Sequence, residues 1–179
     1  MDCRIRIFVS MILYLLLSAA AVHAQPKAFS SVWSLSGIGL GYEHNIGPDS
    51  FLQIDVKAET AELFRYRKFE PGATVSLSWN MIFGSRQSRY GSLLNFYAGP
   101  GIILGWADDI KAPSGGLFGI KGRIGIECVY SRNVSISVSA SPSLAMHLSV
   151  NEDNEFNLRT FRNGLIYGFL PEIGIKYCF

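Results

Sequence analysis

Val134-Ser135-Ile136-Ser137-Val138-Ser139-Ala140-Ser141-Pro142-Ser143-Leu144-Ala145-Met146-His147-Leu148-Ser149-Val150 is the stretch that decides the fold. Every even position is apolar, and the odd positions are serine except Ala145 and His147. Successive side chains of an extended strand point to opposite faces, so the run reads as one β-strand with an oily face and a small, polar face. Its length of 17 residues far exceeds the roughly 5–6 of a typical soluble strand and is ample for the roughly 9–11 that a tilted bilayer crossing needs.

The same period extends outward in both directions. Upstream, Ala73, Val75, Leu77, Trp79 and Met81 alternate with Thr74, Ser76, Ser78 and Asn80. Leu94, Phe96, Ala98, Pro100, Ile102, Leu104 and Trp106 alternate with a glycine-rich set, and Phe118 to Tyr130 sets its oily face against Lys121, Arg123 and Glu127. Leu52, Ile54, Val56 and Ala58 face away from Gln53, Asp55 and Lys57. Downstream, Phe169, Pro171, Ile173, Ile175, Tyr177 and Phe179 oppose Glu172, Gly174, Lys176 and Cys178. A water-soluble sandwich or lipocalin-like barrel also alternates. Strand length, aromatics gathered near strand ends and a polar face of Ser, Gly and ion-pair partners favour an all-β, antiparallel, up-and-down transmembrane barrel.

The chain has 179 residues, 18 of them glycine, with 13% aromatic and 17% charged residues. With Asp2, Arg4 and Arg6 set aside, the remainder carries 14 Lys/Arg against 13 Asp/Glu. That balance shows no basic patch for a nucleic acid, and none is expected as a partner. Residues 1–24 combine a charged start, an apolar run from Ile7 to Val22 and the small-residue ending Val22-His23-Ala24. They read as a signal peptide cleaved before Gln25, leaving residues 25–179 as the barrel domain. No cysteine follows that point directly, so lipid anchoring is not expected. Cys128 and Cys178 fall on opposite strand faces and are expected as free thiols.

Ser131-Arg132-Asn133 is short enough to demand a tight turn, whereas Ala107 to Gly116 and Asn151 to Gly164 read as longer, charged loops. Short turns belong to the periplasmic side and long loops to the outside. Five strands follow from Ala73 to Phe179, the last spanning Leu165 to Phe179. Trp33 to His44 and Phe51 to Ala58 raise the count to seven, yet single-chain bacterial barrels have even numbers. The preferred eighth strand is Glu62 to Phe69, since Pro71-Gly72 is a good turn. Lys27 to Val32 is the alternative.

Gly37-Ile38-Gly39-Leu40-Gly41-Tyr42-Glu43-His44, Tyr97-Ala98-Gly99-Pro100-Gly101 and the ending Tyr177-Cys178-Phe179 together resemble the small outer-membrane β-barrel proteins of Gram-negative bacteria, particularly the many uncharacterised ones of Bacteroidetes. The resemblance implies an outer-membrane location. It also implies that Tyr177 and Phe179 form the signal read by the barrel assembly machinery. It brings no catalytic residues.

About eight strands enclose a lumen that side chains can fill. Asp55, Lys57, Lys121, Arg123, Glu127, Glu172 and Lys176 would point into it, and unpaired charges there are costly, so an ion-pair network plugging the barrel is expected. Trp33, Tyr42, Trp79, Phe83, Phe96, Trp106, Phe118, Tyr130 and Tyr177 are the candidates for an interfacial aromatic girdle. The leading functional expectation is a non-enzymatic, monomeric barrel with a structural, adhesive or envelope-maintenance role, in contact with outer-membrane lipids and lipopolysaccharide. A narrow channel is one alternative. Another is a hydrolase like the lipid A deacylases, because His147 and Ser149 share a face and Glu152 and Glu155 follow, supplying the base, nucleophile and carboxylate of an activated hydroxyl. Phe64-Arg65-Tyr66-Arg67-Lys68-Phe69 offers cations for lipopolysaccharide phosphates. The three histidines are scattered and the glycine runs lack a following helix, so neither a metal nor a nucleotide cofactor is expected.

Overall fold

A computed structural model describes residues 27–59, 72–88, 91–109, 112–150 and 156–179. Among the described residues, ten strand segments form a single antiparallel sheet that closes on itself, with one short helix beside it. In chain order they are β1 (Lys27–Trp33), β2 (Gly37–Gly47), β3 (Ser50–Glu59), β4 (Gly72–Gln87), β5 (Leu93–Asp109), β6 (Ala112–Val129), β7 (Val134–Ala140), β8 (Ser143–Val150), β9 (Phe156–Thr160), α1 (Arg162–Gly168) and β10 (Glu172–Cys178). β6 pairs with both β7 and β8, so these two are halves of one barrel strand interrupted at Ser141-Pro142. β9 pairs with β8 and β10 with β7, so these are likewise halves of one strand, with α1 inserted between them. The ring therefore has eight strands, closed by β1 against β10 from Ala28↔Cys178 to Trp33↔Ile173.

The expected strand at Glu62 to Phe69 is corrected. β3 pairs directly with β4 from Ser50↔Met81 to Glu59↔Gly72, which leaves no place between them in the ring, and the eighth strand is β1. Glu62 to Phe69 itself lies outside the described residues, as do the expected signal peptide, Glu152 and Glu155. The strand expected from Trp33 to His44 is also divided. Trp33 ends β1, and Ser34 and Gly37 exchange backbone hydrogen bonds of 2.9 and 3.3 Å to make a turn before β2.

Two further boundaries differ. Ala107 to Gly116 is mostly strand, because β5 runs on to pair Asp109 with Ala112 of β6. Leu165 to Gly168 is helical, and the last strand begins only at Glu172. The cause lies in the neighbouring strand: Pro142 has no amide to donate, and the gap is taken by α1, whose Gly168 carbonyl accepts from Ser141 N at 2.7 Å. Gly168 has no room for a Cβ, which would come within 2.5 Å of Pro142 Cα.

The alternation resolves into an inside and an outside. Large apolar side chains on all strands face outward, among them Leu40, Val56, Leu77, Ile102, Ile124, Val138, Leu144 and Ile175. Most serines and charged residues of the strands face inward, together with Phe51, Tyr97, Ile103 and Leu117. A continuous apolar exterior of this extent is unstable against water and suits a hydrocarbon surrounding. No described helix is long and apolar enough to cross a membrane.

Candidate functional site: the ion-paired lumen

Strand 7, formed by β7 and β8, lines the lumen with Ser135, Ser137, Ser139, Ser141, Ser143 and Ser149, all buried. These short side chains leave space that long charged ones from the flanking strands β6 and β10 occupy. Asp55 of β3 sits at the centre. Arg123 Nη1 donates to its Oδ2 at 2.7 Å, Lys121 Nζ stands 3.9 Å from the same oxygen, and Gln53 Nε2 donates to Oδ1 at 2.7 Å. Lys121 Nζ also donates to Ser76 Oγ at 3.0 Å. Lys57 of β3 pairs with Glu172 of β10.

Nearer the end bearing Lys27 and Phe179, Lys176 binds Glu43 at 2.7 Å and Glu127 at 3.2 Å. Its ammonium lies 5.1 Å from the centre of the Phe51 ring and 5.5 Å from that of Tyr97, close enough for cation–π attraction. The two rings meet edge to face at 5.4 Å. Gly125 is required opposite Tyr97, since a Cβ there would approach its Cζ to 2.6 Å.

The serines are partners as well as spacers. Ser135 Oγ donates to Glu127 at 2.6 Å and Ser141 Oγ to Glu172 at 3.1 Å, while Ser139 Oγ accepts from Arg123 at 3.4 Å. Each ion pair thus joins strands that are not neighbours in the ring, and each carries hydrogen bonds that offset part of its desolvation. A small cavity of about 40 Å³ is bounded by Lys57, Lys121, Glu172 and the inner side of α1. It is large enough for a few water molecules.

Of the residues singled out for the lumen, Asp55, Lys121, Arg123, Glu127, Glu172 and Lys176 are buried, and Lys57 is mostly so and pairs with Glu172. Sequence reasoning missed Glu43, which shares the parity of Gly37, Gly39 and Gly41 and so sits on an inward row whose other members lack side chains. It also assigned no role to Phe51 and Tyr97, the largest fully buried side chains. Their parity with Gln53 and Asn95 was the available signal.

The girdle residues Trp33, Trp79, Phe83, Trp106, Phe118, Tyr130 and Tyr177 face outward and are exposed, and Tyr42 and Phe96 are half-buried. Phe29 adds to them, stacking on Phe179 at 5.5 Å and meeting Tyr42 at 5.4 Å. Trp79 lies midway along β4, not near its end.

His147 and Ser149 both face inward and are buried. His147 Nε2 lies 2.8 Å from the Ala107 carbonyl, which can only accept, so Nε2 carries the proton. Nδ1 has no hydrogen-bond partner among the described residues, so it does not engage the Ser149 hydroxyl. The imidazole instead stacks on Phe161 at 6.2 Å beneath α1. That arrangement packs a histidine and does not activate a serine. Cys128 and Cys178 are both free thiols. Among the described residues no group of three or more His, Cys, Asp or Glu is placed to hold a metal ion.

Compared by sequence, the chain matches no family model and no curated protein. Its fold is similar to the crystal structure of the N-terminal β-barrel domain of Pseudomonas aeruginosa OprF. The match has a TM-score of 0.52 at 11% identity and covers 87% of this chain and 98% of that one. The likeness is one of fold. A major outer membrane protein from Thermus thermophilus aligns over 88% of this chain and all of its own, at 12% identity and a TM-score of 0.47.

Proposed function

We propose that this chain is an integral protein of the Gram-negative outer membrane, a closed barrel that serves envelope structure or adhesion and conducts no solutes. The carrying observation is the pairing of an apolar exterior with a lumen crossed by ion pairs, from Lys57–Glu172 through Arg123–Asp55 to Lys176–Glu43. An apolar exterior needs lipid, and a charge network this well paired is a plug with no through passage. The similarity to the OprF barrel domain supports the architecture, and the Gly/aromatic patterning supports a Bacteroidetes-type affiliation. Under this reading the chain contacts outer-membrane lipids and lipopolysaccharide, and Tyr177 and Phe179 present the assembly signal.

Membrane fractionation with heat-modifiable gel mobility tests the location, and planar-bilayer recording tests closure. The expected result is a membrane-bound band that shifts on boiling and a bilayer with no steady conductance. A soluble periplasmic product refutes the location, and stable single-channel steps refute the plug.

A further inference from the structure

We propose that the barrel holds one acyl chain of a membrane lipid in a groove of its outer wall, where β5, β6 and the broken seventh strand meet α1. The proposal rests on the bilayer-spanning reading above. The outward row of β6 is Phe118, Ile120, Gly122, Ile124 and Ile126, and four of these five stand well out from the wall. Gly122 interrupts the row. It pairs with Pro100 of β5, and its amide donates at 2.9 Å to the carbonyl of Pro142 at the break in strand 7. A Cβ built on Gly122 would find no atom nearer than 3.9 Å. At this point the wall falls back to bare backbone.

Around that point Ile120, Leu144 and Leu165 rise to enclose a hollow of about 510 Å³. A separate hollow of about 350 Å³ lies beside Ile124, between Phe83, Phe96, Val138 and Phe169. α1 forms the far rim, turning Leu165, Ile166 and Phe169 outward while Asn163 is buried inside.

The occupant follows from where the groove lies. It is continuous with the exposed apolar belt, so the medium that covers the belt also reaches the groove, and its lining is almost wholly apolar. An empty hollow forfeits the dispersion contacts of its lining. A flexible hydrocarbon chain is the group present in that medium that can fill the hollow at Gly122 and restore them. The rim is also fixed, because α1 is held at Ser141-Pro142 and by Asp109. The groove therefore presents a preformed shape to one chain, unlike the convex ridges elsewhere on the belt.

The test places the full barrel in dimyristoylphosphatidylcholine vesicles with a trace of phosphatidylcholine bearing a diazirine midway along one chain. After irradiation, crosslinks are mapped by peptide mass spectrometry. Labelling at Ile120, Ile124, Leu144 and Leu165 is expected to exceed that at Leu40, Ile54 and Val56 several-fold. Gly122→Leu, whose side chain enters open space without a clash, should remove the excess and leave labelling at Leu40, Ile54 and Val56 unchanged. Uniform labelling of the wild-type barrel overturns the proposal, as does an excess that survives Gly122→Leu. Heat-modifiable mobility in the same vesicles separates the two readings. An inserted barrel with uniform labelling refutes the groove alone, whereas a chain that does not insert refutes the membrane reading and the groove with it.

Discussion

Lys176 of β10 reaches across the lumen to Glu43 of β2, Nζ to Oε2 2.7 Å, with Glu127 of β6 at 3.2 Å beside it. The side chain of Lys176 is 1% exposed, so its charge depends on these carboxylates and not on water. One ammonium ties the closing strand to two others in the ring. Removing one member of a buried pair leaves the other charge uncompensated, which costs about 3–5 kcal/mol. Lys176→Met is expected to destabilise the barrel by that order, read as a shift in urea unfolding from lipid vesicles by the fluorescence of Trp33, Trp79 and Trp106. Lys176→Met combined with Glu43→Gln should recover part of the loss. Wild-type stability in the single variant would show that the pair contributes nothing.

Leu77 sits on the outward face of β4 between Ile54 of β3 and Ile102 of β5. An arginine at the middle of a lipid-facing belt costs about 2–4 kcal/mol, falling to about 0–1 near the interface. Leu77→Arg should therefore lower vesicle stability substantially, and Val134→Arg, on the outward face at the first position of β7, only slightly. Equal effects at the two sites would contradict the placement of the belt.

Asp109 is the cap of α1, although 53 residues separate it from Arg162. Its carboxylate accepts from Arg162 N at 3.0 and 3.1 Å and from Asn163 N at 3.0 Å. The helix has no side-chain cap of its own. Loss of such a cap costs about 0.5–2 kcal/mol. Asp109→Ala should speed amide hydrogen exchange at Arg162 and Asn163 while leaving β10 protected, and Asp109→Asn should do so less. Unchanged exchange in both variants would remove Asp109 from this role.

For the hydrolase alternative, the protonated Nε2 of His147 is committed to Ala107 and nothing joins its ring to Ser149. Ser149→Ala is expected to leave the acyl chains of lipid A unchanged in mass spectra from cells carrying either form. An acyl difference that depends on Ser149 would restore the enzymatic reading.

Legibility followed how local the cause was. The inward serines and outward aliphatics of Val134 to Val150 are visible because period two is a property of the strand itself. β1 was harder to read because its faces are mixed: Val32 points in with Ser30, while Ser31 points out with Phe29 and Trp33. Glu43 was overlooked among glycines. Asp108 and Asp109 suggested a loop, but charged residues are equally at home where a strand projects past the apolar belt.

By itself the sequence determined the all-β barrel architecture and the inward and outward faces of its long strands, because alternation, strand length and turn chemistry act between near neighbours. Only the tertiary structure decided that Lys27–Trp33 closes the ring, that Arg162–Gly168 is a helix, and which lumen charge pairs with which. Those outcomes depend on partners far along the chain: β10 for β1, Asp109 and the Pro142 break for α1, and the opposite wall of the barrel for each buried charge. Residues brought together by ring closure leave no periodic trace in the sequence around either of them.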